Sequence, residues 1–231
     1  MLALHRAAVT ELLRRPLAAA LGIAIPAGSI ALIAATDLVS GAGGGVTRAA
    51  LPILLPVLLV TVPFGALAAP VTDARERGIL RLLATVPLLR GSLLLAHTPM
   101  ALAAAACVSA AGLIAARAPL VALPGALAAC AALSAIGLGL GGLAAALSHR
   151  SSQVRALGTL VPAVVLLTAG ILPLESLLPG ADNALGFLPT TALARSLGDT
   201  LSGGAPDLAP TMWIAAAGLA LWAAAVLRSG R

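Results

Sequence analysis

Six stretches of this chain contain no Asp, Glu, Lys or Arg: 16–36, 49–72, 91–116, 118–148, 156–174 and 208–227. A bilayer's hydrocarbon core is about 30 Å thick, and roughly 20 apolar residues in a helix cross it. Each stretch is long enough, so the spacing of charge predicts six membrane-spanning helices. The composition agrees: 60% of residues are apolar and 10% charged, whereas soluble domains carry about 25% charged residues. A closed barrel is the other way to satisfy backbone polar groups in lipid, but its strands alternate apolar and polar residues in segments of about 10. That alternation is absent. The predicted fold is therefore all-α and polytopic, with six transmembrane helices in one domain over residues 1–231.

Short loops rich in Arg or Lys stay on the cytoplasmic side of a membrane. With the N-terminus inside, the cytoplasmic segments carry Arg6, Arg14, Arg15, Arg75, Arg77, Arg81, Arg90, Arg150, Arg155, Arg228 and Arg231. The opposite segments carry only Arg48, Arg117 and Arg195. This asymmetry predicts both termini in the cytoplasm and puts Asp37, Glu175, Asp182, Asp199 and Asp207 outside. The net charge of +6 is then a topology signal. A nucleic-acid partner is not expected, because its binding would need basic residues gathered on one exposed face.

Residues 1–15 place Leu2, Val9, Leu12 and Leu13 near one side of a helix, with Arg6, Glu11, Arg14 and Arg15 largely on the other. An interfacial helix and a short polar leader both fit this pattern. A cleaved signal does not: the apolar run is longer than 7–15 residues, Glu11 lies in its flank and five more spans follow. Cys107 and Cys130 sit inside predicted spans without a Cys or His at metal-ligand spacing, and read as packing residues. His5, His97 and His149 read as solvated or partly wet. Gly137, Gly139 and Gly142 spell G-x-G-x-x-G, but a nucleotide fingerprint needs a strand before it and an acid about 20 residues on, and the next acid is Glu175. Gly137 and Gly141 also form G-x-x-x-G, the spacing at which helix backbones approach closely in lipid, so helix packing is their expected role.

Absences narrow the function. All 14 basic residues are Arg, so the chain has no lysine for a Walker A loop, and any ATP and Mg would be bound by a partner. The six stretches hold no carboxylate, although ion-coupled carriers place Asp or Glu in the membrane at a cost of at least ~2.5 kcal/mol. Intramembrane catalysis needs acids, bases, nucleophiles or metal ligands that converge, and only scattered Ser, Thr, His97 and Cys are available. Neither a metal site nor a resident cofactor is expected, and no residue is assigned a catalytic role.

Residues 73–91 are the most charged stretch, with Leu80, Leu83 and Val86 or Pro87 at helical spacing against Arg75, Glu76, Arg77 and Arg81. An amphipathic cytoplasmic element follows, either a partner-docking loop or a helix lying on the headgroups. Its text, E-R-G-I-L-R-L-L-A-T-V-P-L-L-R, resembles the segment after the second span in type-2 ABC exporter permeases. Glu76, Gly78, Leu80, Leu83 and Pro87, followed by Arg90, carry the resemblance. G-I-L-P-L-E-S-L-L-P-G and F-L-P-T-T-A-L-A-R-S-L, with Pro173, Glu175, Pro179, Pro189 and Arg195, resemble that family's outer-facing segment.

The resemblance implies a transmembrane permease subunit that docks an ABC ATPase through residues 73–91, with Leu80 and Leu83 as apolar anchors and Arg75, Arg77 and Arg81 at the rim. It also implies a second permease subunit, identical or different, beside this one in a bacterial cell membrane. ATP-driven motion of the loop would switch the helices between inward-open and outward-open forms and expel a hydrophobic or amphipathic substrate. A haem-exporter permease of cytochrome c maturation, and an ATP-independent carrier or lipid-handling enzyme, remain alternatives. Residues 175–207 are too apolar for a free loop, yet Glu175, Asp182, Arg195 and Asp199 forbid a seventh span. With breaks at Pro179, Gly180, Pro189, Gly203 and Gly204, they predict a re-entrant outer gate that includes Leu185, Leu188, Leu193 and Arg195. A surface-lying amphipathic helix is the other reading.

Overall fold

The computed structural model describes residues 10, 16–41, 44–79, 91–148, 150–168 and 188–229. Within them the chain forms helices α1 (Pro16–Ser40), α2 (Gly45–Glu76), α3 (Ser92–Ala115), α4 (Leu123–Leu147, preceded by a 3₁₀ turn at Leu120–Ala122), α5 (Ser151–Thr168), α6 (Pro189–Leu201) and α7 (Leu208–Arg228). No strand occurs among the described residues. Among the described residues, five segments are long and apolar enough to cross a bilayer: α2, α3, α4 with its 3₁₀ turn, α5 and α7. In α1, 25 residues long, residues 24–40 form a shorter apolar stretch. The expected interfacial helix at 1–15 apart from Thr10, residues 80–90 of the charged loop, and residues 175–187 of the outer segment lie outside the described residues.

Among the described residues, three hydrophobic clusters run along the bundle. The largest joins Leu51, Leu55, Leu59 and Val60 of α2 to Val108 of α3, Leu133 of α4, Leu193 and Leu197 of α6 and Ile214 of α7. A second gathers Leu67, Val71, Leu94, Leu138 and Ala225, and a third Phe64, Ala68, Ala144 and Val154. Many large apolar side chains point outward instead, among them Leu32, Leu102, Ile114, Leu160, Val164, Trp213 and Leu219. Soluble monomers rarely present so continuous an apolar exterior.

Glycine explains why α4 sits at the centre. A Cβ on Gly137 would collide with the Val60 carbonyl oxygen, and one on Gly141 would lie 2.9 Å from the Phe64 backbone. Gly139 meets the Gly218 carbonyl and Gly142 the Ala225 methyl, both on α7. The glycines at 137 and 141 thus admit α2 on one side, and those at 139 and 142 admit α7 on another. Small residues do this because no side chain separates the two backbones.

Helix α2 stays helical through Pro52, Pro56, Pro63 and Pro70. At about 100° per residue, their spacing of 4, 7 and 7 puts all four on one face. Each removes the amide that would bond the carbonyl four residues earlier. Gly137 packs against the backbone at Leu59 and Val60, beside the Leu59 carbonyl whose partner amide Pro63 lacks.

Contacts between helix ends show how the chain is threaded. One end holds Asp37 with Val46 and Thr47, Arg117 near Asp37, and α6 against Pro52 and Gly125 through Gly198 and Thr200. The other end holds Arg75 with Ala145 and Ser148, Glu76 with Ser151, and Gly91 against Val226. Successive long helices therefore run back and forth between two chemically different ends.

Candidate functional site

Helix α2 ends in Asp73-Ala-Arg-Glu-Arg-Gly78, and each polar residue of this run has its own task. Arg75 donates through Nη1 to the carbonyls of Ala145 and Ser148, both at 2.8 Å. These carbonyls belong to the end of α4, where the last turn has no helical donors and a cation is favoured by the helix dipole. Glu76 accepts from the Ser151 amide at 2.5 Å and from its hydroxyl at 2.8 Å. That amide opens α5, where an anion is favoured. Arg77 pairs with Asp73 one turn earlier at 3.5 Å on the exposed surface. Gly78 takes φ of +72° just past the helix and closes it, because a residue with a Cβ rarely adopts that conformation.

Borrowed caps are a general device here. The residue before α5 is Arg150, which has no side-chain acceptor; Gln153 reaches back to the Arg150 amide at 3.3 Å, and Glu76 supplies the remaining cap. The residue before α2 is Gly44, which has no side chain, and Asp37 at the end of α1 takes its place. Asp37 accepts the Val46 amide at 2.9 Å and the Thr47 amide at 2.7 Å. Both carboxylates lie beyond the charge-free stretches, and both are held below the ordinary carboxylate range. Hydrogen bonding from Thr47 is the main cause for Asp37, aided by the Val46 amide and the Arg117 charge against a burial cost. Ser151 is the main cause for Glu76, with Arg155 and Arg150 adding attraction.

Of the expected docking residues, the structure therefore brings Arg75 and Glu76 together with α4 and α5, and places Arg77 and Gly78 at the α2 terminus. Leu80, Arg81, Leu83 and Pro87 lie outside the described residues. Among the expected gate residues, Leu188 precedes α6 and is half-buried, Leu193 is fully buried in the main core, and Arg195 is exposed; Leu185 lies outside the described residues. Helix α6 is amphipathic and sits on the bundle, burying Thr190, Thr191, Leu193, Leu197 and Leu201. A threonine knot ties it to α5: Thr168 Oγ1 meets Thr190 Oγ1 at 2.7 Å, and the Thr191 hydroxyl donates to the Thr168 carbonyl.

One expectation needs correction. His97 was expected to be partly wet, but it is buried inside α3 with Nδ1 2.9 Å from the Leu93 carbonyl, because the helix begins at Ser92 and carries position 97 onto an inward face. His149 lies outside the described residues. Cys107 is exposed on α3 and Cys130 buried on α4; both are free. Among the described residues no group of three His, Cys, Asp or Glu could hold a metal ion.

An open groove of about 730 Å³ lies beside the Arg75–Glu76 contacts, lined by Leu147, Ser148 and Gln153 with Leu157 and Leu160 of α5. Sequence reasoning missed the partners of Asp37, Arg75 and Glu76. The available signal was indirect: Gly44 and Arg150 precede helices without offering a capping side chain.

Fold and composition define a class, a multi-pass membrane protein whose described residues are helical, five of their helices being able to cross a bilayer. Beyond that class, no protein-family profile matches the chain and no curated protein matches its sequence.

Proposed function

We propose that this chain is the membrane-spanning permease subunit of an ATP-driven ABC exporter, with α1 as a sixth crossing and both termini in the cytoplasm of a bacterial cell. Its energy comes from a separate ATPase subunit that binds ATP and Mg, and a second permease subunit, identical or different, packs beside it in the bilayer. The substrate is hydrophobic or amphipathic and is moved outward.

The observation that carries this reading is the charged segment 73–91, which resembles the ATPase-docking loop of type-2 exporter permeases and is rooted at Arg75 and Glu76 in three helices. The lack of any lysine supports a partner for ATP binding. Docking rests on Leu80 and Leu83, with Arg75, Arg77 and Arg81 nearby. Copurification from the native membrane tests it. The intact chain should bring down an ATPase, and Leu83→Asp should lose it while still inserting, since buried apolar anchors dominate such interfaces. Transport and ATPase capture that survive in Leu83→Asp would refute docking at this loop.

A further inference from the structure

The groove between the end of α4 and the flank of α5 changes in polarity along its length. Ala156, Leu157, Leu160 and Ala163 recur at helical spacing along α5 and, with Leu147 of α4, give it an apolar floor. The polar groups among them are turned onto the chain itself. The Thr159 hydroxyl donates to the Ala156 carbonyl at 2.8 Å, Gln153 Oε1 accepts the Arg150 amide, and the Ser148 carbonyl accepts from Arg75. This wall lies on the lipid-facing side of the bundle, since α5 buries only Val154 and Val165 and leaves Leu160 exposed.

Charge appears only at the groove's mouth. Arg150 is held there by Gln153, and Arg155 stands one helical turn before Thr159, on the same side of α5. Both guanidinium groups are on exposed residues. The described carboxylates at this end are already engaged: Asp73 pairs with Arg77, and Glu76 accepts twice from Ser151. Two cations therefore sit at the open end of an apolar trough.

We propose that this groove binds one anionic phospholipid of the surrounding bilayer, with an acyl chain along Leu157, Leu160 and Ala163 and its phosphate at Arg150 and Arg155. In a membrane an unfilled trough forfeits the dispersion contacts of its lining, so hydrocarbon enters it. The planar fork of guanidinium matches phosphate geometry, and basic pockets between helices at the cytoplasmic surface attract anionic headgroups. A soluble anion would leave the trough empty. A second copy of this chain would fill the trough but leave both cations unanswered, because its own described carboxylates at this end are engaged. The site rests on the multi-pass fold and its arginine-rich end, and stands or falls apart from the exporter reading.

Lipid quenching of a fluorophore tests the site on the chain alone. Val164 is exposed one turn beyond Leu160, outside the groove lining, and takes a bimane label as Val164→Cys in a Cys107→Ser, Cys130→Ala background. In vesicles of phosphatidylcholine, brominated-chain phosphatidylglycerol should quench this label at a several-fold lower mole fraction than brominated-chain phosphatidylcholine. A label at Leu219→Cys, exposed on α7, should show no preference. Arg150→Gln with Arg155→Gln should abolish the preference at position 164, Arg150→Lys with Arg155→Lys should keep most of it, and Leu160→Trp, which fills the trough, should also remove it. Soluble glycerol phosphate should not compete. Equal quenching by the two lipids would overturn the site, as would an equal fall in preference in Arg228→Gln, which would assign the effect to diffuse surface charge. Competition by glycerol phosphate would assign the arginines to a soluble anion instead. Exclusion of both lipids from position 164, with position 219 still quenched, would mean that a second copy covers the groove.

Discussion

Asp37 and Glu76 illustrate how a carboxylate is used at a membrane edge. Each lies just past an apolar stretch, and each satisfies amides at the start of a helix whose own preceding residue has no acceptor. Their folded-state pKa values are lowered, so the stability they contribute is present above the ordinary carboxylate range and is lost as pH falls through the folded values. In detergent micelles the melting midpoint should hold between pH 7 and 5 and fall below pH 4. Asp37→Asn with Glu76→Gln should start lower and flatten that acid slope; a slope identical to the native chain's would remove both groups from the account. The charges of Asp37 and Glu76 were plain in the sequence, but their partners were not. Asp37 meets its amides 9 and 10 residues on, and Glu76 meets Ser151 75 residues on, with no periodicity to announce either pairing.

Helix by helix, packing follows from which residues have no side chain. Gly137 and Gly141 face α2, while Gly139 faces Gly218 of α7, so α4 meets a close neighbour on each side. Gly141→Leu or Gly218→Leu forces side-chain atoms into neighbouring backbone and should destabilise the bundle by roughly 1–3 kcal/mol or more, read as a lower melting midpoint. Gly28→Ala, where the added methyl meets nothing within 4 Å, is the control and should leave it unchanged. The spacing of glycines in α4 was legible as a packing signal, whereas the second contact face was not, because Gly218 stands alone in its own helix. Helix α6 carries a companion prediction. In a Cys-free background, Arg195→Cys should react with a membrane-impermeant thiol reagent in intact cells, and Leu193→Cys, fully buried in the core, should not. Equal labelling at both would mean that α6 leaves the bundle. Its amphipathic pattern was visible in the outer segment, but the threonine knot at Thr168, Thr190 and Thr191 joins residues 22 and 23 positions apart and left no such trace.

At the scale of the whole molecule, the bundle has two ends with different charge. Arg75, Arg77, Arg150, Arg155 and Arg228 belong to the end where α2, α4 and α7 finish and α5 begins, while Asp37, Asp199 and Asp207 belong to the other, together with Arg48, Arg117 and Arg195. A bilayer sorts such ends by arginine, because short Arg-rich loops remain in the cytoplasm. Reporter fusions after Asp37, Arg117 and Asp199 should therefore report outside, and fusions after Arg81, Arg150 and Arg231 inside. The back-and-forth threading ties these six readouts together: the Asp37 carboxylate sits near Arg117, and Gly125 lies against Pro206 and Thr200 just past Asp199, so the three outer sites must share a side. Asp199 is the decisive position, because α6 with 13 residues is too short to cross a bilayer. A cytoplasmic signal there, with Asp37 and Arg117 outside, would mean that α5 does not cross, and the exporter reading would lose one of its six spans.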